Sequence, residues 1–143
     1  KTLISKKESL KLENLHIIPY QSRELMPSLL AYSDLQFIFM SPHTEGHGFP
    51  SKVYTIMACA KPIVVCSGEN TPIINFLKEK NCAFLITERE MKSKVKTMAQ
   101  ILRNTSFSEY KKMGNNGYQY IKREYSKDVV TEKYVSLVNN LFS

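Results

Sequence analysis

Residues 35–66 read LQFIFM, SPHTEGHGFP, SKVYTIMACA and KPIVVC, and this stretch decides the fold. The apolar run at 35–40 predicts a strand that is covered on both faces, as in a parallel sheet. A polar loop with two glycines follows, and a helix is predicted to begin at Pro50, because proline at a first helical position is already set in φ. Apolar residues at helical spacing predict the buried face of this helix: Val53, Ile56, Met57 and Ala60. The run at 62–66 predicts the next buried strand.

The same alternation continues on both sides of this stretch. Further strands are predicted at 15–18 and 83–86, and further helices at 2–12, 22–32 and 72–80. Beyond residue 89 the pattern is helical, with breaks predicted near 104–106, at 114–117 and at 126. Strands that alternate with helices over short connections predict an α/β, Rossmann-like fold: a parallel sheet with helices on both faces, followed by C-terminal helices. The length of 143 residues suits a single domain over 1–143.

The composition limits the classes of ligand. The chain has a net charge of +7, which favours an anionic partner: a nucleotide, a lipid headgroup or a nucleic acid. The basic residues are spread along predicted helices and no nucleic-acid-binding motif is present, so nucleic acid is not expected. No apolar run reaches the roughly 20 residues that a membrane-spanning helix needs. Cys59, Cys66 and Cys82 lie in apolar settings without metal-type spacing, which predicts buried thiols in a reducing compartment and no metal site.

The predicted sheet also indicates where a ligand binds. Ligands of parallel sheets lie beyond the carboxyl ends of the strands. The loops after Met40, Cys66 and Ile86 all open at that edge, so we expect them to form one crevice. Ser51 and Lys52 fall in the first turn of the predicted helix, where free amides and the helix dipole favour an anion. These features together describe a phosphate-binding corner; the alternative is an ordinary connection between a strand and a helix.

Each candidate residue of this corner has a functional and a structural interpretation. Lys52 either neutralises a diphosphate or is a surface lysine, and Ser51 either donates to the same phosphate or only caps the helix. His47 either contacts a sugar or phosphate or is a solvated loop residue. The same choice holds for Glu45, which as the only carboxylate of the loop can bind hydroxyl groups. Glycine either allows close backbone approach to a ligand or permits a positive φ; this applies to Gly46 and Gly48.

Several stretches resemble, in order, the motifs of one enzyme family. The family is that of the retaining B-type glycosyltransferases of the "group 1" kind (family 4). The central motif resembles the variant found in enzymes of capsule and O-antigen polysaccharide assembly. The resemblance covers about residues 10–140 and rests on four segments: residues 14–20, residues 32–41, residues 50–64, and 112–114 together with 125–126.

The resemblance implies the C-terminal, donor-binding half of an enzyme with two Rossmann-like domains. The first strand of this half and the N-terminal acceptor domain are then expected to be absent from the chain, which alone is expected to be inactive. The implied reaction is the transfer of a sugar, as by a hexosyltransferase, from a nucleotide diphosphate sugar, without a metal or another cofactor. Lys52 and His47 are the expected catalytic residues, and the expected donor-binding residues are Glu45, Gly46, Gly48, Ser51 and Thr55. The family often has two glutamates eight positions apart where this chain has His47 and Thr55.

The resemblance also implies partners and a location. The donor is a nucleotide sugar, and a glycan or lipid-linked acceptor would bind through the N-terminal domain, as part of surface polysaccharide synthesis. A cytoplasmic protein is expected, with peripheral contact to the anionic inner face of a membrane. Two alternatives stay open: a nucleotide-sugar epimerase of the same fold, and a non-catalytic flavodoxin-like binding module. Titration distinguishes the module, which would prefer a flavin to a nucleoside diphosphate.

Overall fold

Helices and strands alternate along the first part of the chain, and helices alone make up the last part. The structure, a computed structural model, describes residues 2–46 and 48–142. The strands are β1 (Gln36–Phe39), β2 (Ile63–Cys66) and β3 (Ala83–Ile86). The helices are α1 (Leu3–Ser9), α2 (Met26–Tyr32, preceded by a 3-10 turn at Arg23–Leu25), α3 (Lys52–Ala58), α4 (Pro72–Leu77), α5 (Met91–Asn104), α6 (Phe107–Tyr125) and α7 (Lys127–Leu141).

The strands form a parallel sheet in the order β1–β2–β3. Val64 of the central strand pairs with Phe37 on one side and with Phe84 on the other. All four residues of β2 are buried, which explains why this segment is a continuous apolar run rather than an alternating one. The predicted parallel α/β architecture is therefore confirmed.

Helices cover both faces of the sheet, as predicted. On one face β2 packs against α3 and α4 through Ile63, Val65, Met57 and Ile73. On the other face α5 lies against β2 and β3 through Met98, Ile101, Val64, Cys66 and Ile86. The prediction that the strand at 35–40 is covered on both faces is wrong, because Phe37 and Phe39 of β1 are exposed, with their stacked ring centroids 6.0 Å apart.

Two glycines bring α6 close to the end of α3. A Cβ atom on Gly114 would lie 2.0 Å from the carbonyl oxygen of Ala60, and one on Gly117 would lie 3.2 Å from the Cβ of Cys82. The predicted break at 114–117 is wrong, because α6 is continuous through both glycines. Glycine costs a helix about 1 kcal/mol relative to alanine. These two glycines therefore serve close packing rather than a turn.

The ends of α3 also differ from the prediction. The helix begins at Lys52, with Ser51 as its N-cap residue, and Pro50 precedes it and accepts a 3.1 Å hydrogen bond from the amide of Val53. Ala60 was predicted on the buried face but is exposed, because it lies beyond the helix with a φ of 54°. This left-handed residue turns the chain toward β2. The buried face is confirmed at the other three positions, Val53, Ile56 and Met57.

The strand predicted at 15–18 is not formed. The side chains of Ile17 and Ile18 are 40% and 62% exposed, and within the described residues β1 pairs only with β2. A strand exists only where a neighbour satisfies its backbone amides and carbonyls. The apolar pattern was present here, but the pairing partner was not.

Serine caps separate the C-terminal helices. Ser106 and Glu109 form a reciprocal capping box at the start of α6, and the Ser126 hydroxyl accepts a 3.4 Å hydrogen bond from the amide of Val129 in α7. The predicted breaks near 104–106 and at 126 are thus confirmed. The second half of α7 is exposed all round, including its large apolar residues, among them Leu137 and Leu141.

Candidate functional site

A cavity of about 640 Å³ lies beyond the carboxyl ends of all three strands. Each of the loops that follow the strands contributes to its wall, so the predicted crevice is confirmed. The loop after β1 contributes Pro42 and Glu45, and the loop after β2 contributes residues 67–71. The third wall consists of Thr87, Glu88, Arg89 and Lys94.

The loop after β1 is folded back by a tight polar turn. The amides of Thr44 and Glu45 donate to the carbonyl oxygen of Ser41 at 2.9 and 3.0 Å, and the hydroxyls of Ser41 and Thr44 are 3.0 Å apart. This turn directs Glu45 toward the neighbouring loop. Its Oε2 atom lies 2.9 Å from the position that a Cβ atom on Gly68 would occupy. Glycine at position 68 therefore leaves room for the carboxylate of Glu45 at the cavity wall.

Two hydroxyl groups fix the loop after β2. Ser67 and Thr71 are both buried, and their hydroxyl oxygens are 3.0 Å apart. The Thr71 hydroxyl donates to the carbonyl oxygen of Gly68 at 2.9 Å. Because a hydroxyl has one hydrogen, Ser67 must be the donor in the Ser67–Thr71 bond. Thr71 is the N-cap residue of α4, as predicted, but its side chain stabilises the loop instead of capping the helix.

The third wall holds a carboxylate that the fold keeps ionised. Glu88 accepts a hydrogen bond from the Thr97 hydroxyl of α5. This bond, the backbone amides of the loop and the nearby ammonium of Lys94 keep the pKa of Glu88 below its usual value. Beneath it, burial raises the pKa of the Cys66 thiol at the end of β2. At neutral pH the wall therefore presents a negative carboxylate, and the buried thiol is uncharged and is not part of the wall.

This arrangement of loops at the end of a parallel sheet agrees with what sequence comparison finds. The sequence model of the family described as glycosyl transferases group 1 matches residues 1–120. The chain belongs to the group 1 glycosyl transferases. Among curated protein sequences, none matches it.

A solved structure shows the same fold. Sucrose-phosphate synthase from Thermosynechococcus elongatus superimposes with a TM-score of 0.68 at 12% sequence identity, over 98% of this chain and 33% of the synthase. At this identity the likeness establishes the architecture alone. The chain thus spans about a third of the length of that synthase.

The predicted site residues of this glycosyl transferase domain do not all meet in the crevice. Glu45 lines it, whereas Ser51 and Lys52 are exposed at the start of α3 and are not part of the cavity wall. Thr55 is exposed in a separate shallow depression of about 450 Å³, which it lines together with Tyr54, Ala58, Ile121 and Tyr125. His47, predicted as a catalytic residue, lies outside the described residues.

The two loop glycines leave open space rather than an unusual backbone. No heavy atom lies within 4 Å of a Cβ built on Gly46, and on Gly48 the nearest is the carbonyl oxygen of Thr44 at 3.7 Å. Neither has a positive φ. The interpretation that these glycines permit a positive φ is therefore wrong. The other interpretation, that they allow close backbone approach to a ligand, stays a prediction.

An aromatic cluster holds the far end of the loop that contains these glycines. The ring centroid of Phe49 lies 5.4 Å from that of Tyr54 in α3 and 5.2 Å from that of Phe76 in α4. Such pairs contribute about 0.5–1.5 kcal/mol each beyond burial. The loop is thus fixed at both ends, by the Ser41 turn and by Phe49.

Sequence reasoning named the third loop but none of its residues. Glu88 and Arg89 belong to no recognisable motif, so their only signal was their position just beyond a buried strand, and Lys94 lies in α5. Within residues 2–46 and 48–142, no group of three or more His, Cys, Asp or Glu residues is placed to hold a metal ion. In the same part of the chain, no helix is both long enough and apolar enough to cross a membrane.

Proposed function

We propose that the protein transfers a sugar, with retention of configuration, from a nucleoside diphosphate sugar to a glycan or lipid-linked acceptor. This chain is its donor-binding domain, and the acceptor binds to sequence outside it. Membership of the group 1 family supports glycosyl transfer in general. The role in surface polysaccharide synthesis, and the hexosyl type of the sugar, are supported by the resemblance of residues 50–64 to the capsule and O-antigen variant.

The crevice is the observation that carries this proposal. It combines a position at the carboxyl ends of parallel strands with a wall of hydrogen-bonding side chains. Glu45 is half-buried at this wall, so its carboxylate can accept hydrogen bonds from ligand hydroxyl groups at a partly desolvated site. A polyhydroxylated ligand such as a nucleotide sugar suits these groups better than an apolar one.

The proposed chemistry is mainly electrostatic. The loop that carries Glu45 ends at Ser51 and Lys52, where the Ser51 hydroxyl caps no amide of α3 and the Lys52 ammonium group is exposed. These groups stabilise the negative charge that develops on the departing diphosphate. Closure of a second domain over the crevice would exclude water from the reacting sugar. His47, on the same loop, is proposed as the second catalytic residue.

Titration of the full-length protein with nucleoside diphosphates, nucleotide sugars and a flavin tests the proposal. We expect binding of a nucleoside diphosphate in preference to the flavin. Lys52→Ala should weaken that binding by about 1.5–3 kcal/mol, the value of a hydrogen bond to a charged group, which is roughly ten- to a hundredfold. The melting temperature should not change, because Lys52 is exposed.

Lys78→Ala is the matched control, since Lys78 is an exposed lysine at the C-terminal end of α4, opposite the end where Thr71 lines the cavity. Its donor affinity should equal that of the wild type. Unchanged affinity and turnover in Lys52→Ala would remove Lys52 from the mechanism. Preference for the flavin would overturn the nucleotide-sugar proposal itself.

A further inference from the structure

Within the described residues, the third wall of the crevice carries a carboxylate oxygen without a hydrogen-bond partner and an ammonium group without an ion pair. Glu88 uses one carboxylate oxygen to accept from Thr97, but its Oε2 atom is buried and has no hydrogen-bond partner in the part of the chain that the structure describes. Lys94 is half-buried on the same wall, and across residues 2–46 and 48–142 it takes part in no ion pair. Both residues line the cavity.

This combination requires an explanation, because buried acceptors are nearly always satisfied. A charged oxygen without a partner loses the hydrogen bonds that it made to water. Lys94 is near enough to lower the pKa of Glu88, yet the two groups do not pair with each other. Among the described residues, the fold therefore places a carboxylate with one unpaired oxygen near an ammonium group without an ion pair, on one side of a polar cavity.

We propose that Glu88 and Lys94 recognise hydroxyl groups of the sugar that the donor carries. A hydroxyl group can donate to a carboxylate and accept from an ammonium group at the same time, so adjacent hydroxyls on a sugar ring match this pair. Glu88 is half-buried and lines the cavity. Thr97 is a positioning residue, because it fixes the other oxygen.

The sheet order supports the assignment to the sugar rather than to the phosphates. The strands are ordered β1–β2–β3, so the loop after β3 is the farthest from the loop that leads to Lys52. A donor whose diphosphate lies at the start of α3 would extend its sugar along the cavity toward the third wall. This inference rests on the proposed function, since it assigns one part of the same donor.

The experiment compares two sets of probes on the full-length protein by calorimetry at pH 7. One set is UDP, GDP and ADP; the other is UDP-glucose, GDP-mannose and ADP-glucose. In Glu88→Gln and Lys94→Met we expect the affinity for the preferred nucleotide sugar to fall about tenfold or more, as for loss of a hydrogen bond to a charged group. The affinity for the matching diphosphate should stay within about twofold of the wild type.

The controls are Glu90→Gln and Lys92→Met, which change exposed neighbours outside the cavity wall and should leave both affinities unchanged. Lys94→Arg keeps the charge and should recover part of the sugar affinity. Thr97→Val should lower the affinity for the nucleotide sugar, but not for the diphosphate, while the melting temperature confirms that it folds.

The outcomes separate this inference from the proposed function. A wild-type protein that binds none of the six probes would overturn the proposed function. If the wild type binds nucleotide sugars no more tightly than diphosphates, the proposed role of Glu88 and Lys94 is wrong. It is also wrong if Glu88→Gln and Lys94→Met bind the nucleotide sugar as tightly as the wild type does. An equal loss for diphosphate and nucleotide sugar would also overturn it, because the pair would then serve the phosphates or the fold.

Discussion

A methyl group at position 114 tests how α6 packs on α3. In Gly114→Ala the new Cβ would lie 2.0 Å from the carbonyl oxygen of Ala60, 2.7 Å from its carbonyl carbon and 3.3 Å from the amide nitrogen of Lys61. All three are backbone atoms, so no side-chain rotation relieves the contact. The two segments must move apart or α6 must distort.

The expected loss of stability follows from two opposing effects. Alanine favours the helix over glycine by about 1 kcal/mol. Overpacking of a well-packed core costs about 1–3 kcal/mol and sometimes more. Relief by a shift of α6 would also disturb the contact one turn later, where Gly117 lies close to Cys82 and Met57. Because the contact is with backbone atoms, we place the overpacking at the upper end of this range and expect Gly114→Ala to lower the free energy of unfolding by about 2 kcal/mol.

Urea denaturation followed by circular dichroism measures this change. Asn115→Ala is the control, because Asn115 is the next residue of α6 and is exposed. It should raise the free energy of unfolding by about 0.5 kcal/mol through helix propensity alone. If Gly114→Ala is as stable as the wild type, the close packing of α6 against the end of α3 is refuted.

Two further predictions concern the neighbouring backbone and the thiols. Ala60→Gly should raise the free energy of unfolding by about 0.5–1 kcal/mol. The left-handed conformation costs a non-glycine residue about 1–2 kcal/mol, which glycine avoids. The greater freedom of glycine in the unfolded chain offsets about 0.4–1 kcal/mol of that gain. Urea denaturation checks it, and a loss of stability would contradict the positive φ. At pH 8 iodoacetamide should modify Cys59 well before Cys82, because Cys82 is buried and burial raises its pKa to about 11. Peptide mass spectrometry of the folded protein measures the two rates, and equal rates would contradict the burial of Cys82.

The sheet could be predicted because its central strand is buried on both sides and the strands beside it are largely apolar. Continuous apolar runs at 35–40, 62–66 and 83–86 leave few alternatives when helical patterns separate them. The run at 15–18 carried a similar local signal, but pairing depends on a neighbour that local sequence does not specify. At 114–117 glycine was interpreted as a helix break, because its use for close packing depends on the position of Ala60 in the folded chain.

The crevice was predictable as a location but only in part as a set of residues. Glu45 was identified as the only carboxylate of its loop. Its position opposite Gly68 depends on the turn from Ser41 to Glu45, which the hydroxyls of Ser41 and Thr44 help to hold. Glu88 was missed because an isolated charged residue after a strand resembles an ordinary surface position, and Lys94 because a helix with several lysines, such as Lys92 and Lys96, is typical of a solvated face. What distinguishes them is burial and the lack of partners, and both are properties of the folded structure.

The charge of the crevice differs from the charge of the chain. The net charge of +7 predicted an anionic partner, yet the cavity wall holds three carboxylates and two cationic groups: Glu45, Glu69 and Glu88, with Arg89 and Lys94. Such a wall suits hydroxyl groups better than phosphates, because carboxylates accept hydrogen bonds but repel a second anion. Under the proposed function, a donor diphosphate therefore needs positive charge from outside this cavity, and Lys52 at the end of the Glu45 loop is the proposed source. Lys52→Ala should then weaken binding of the diphosphate, whereas Lys94→Met should weaken binding of the sugar.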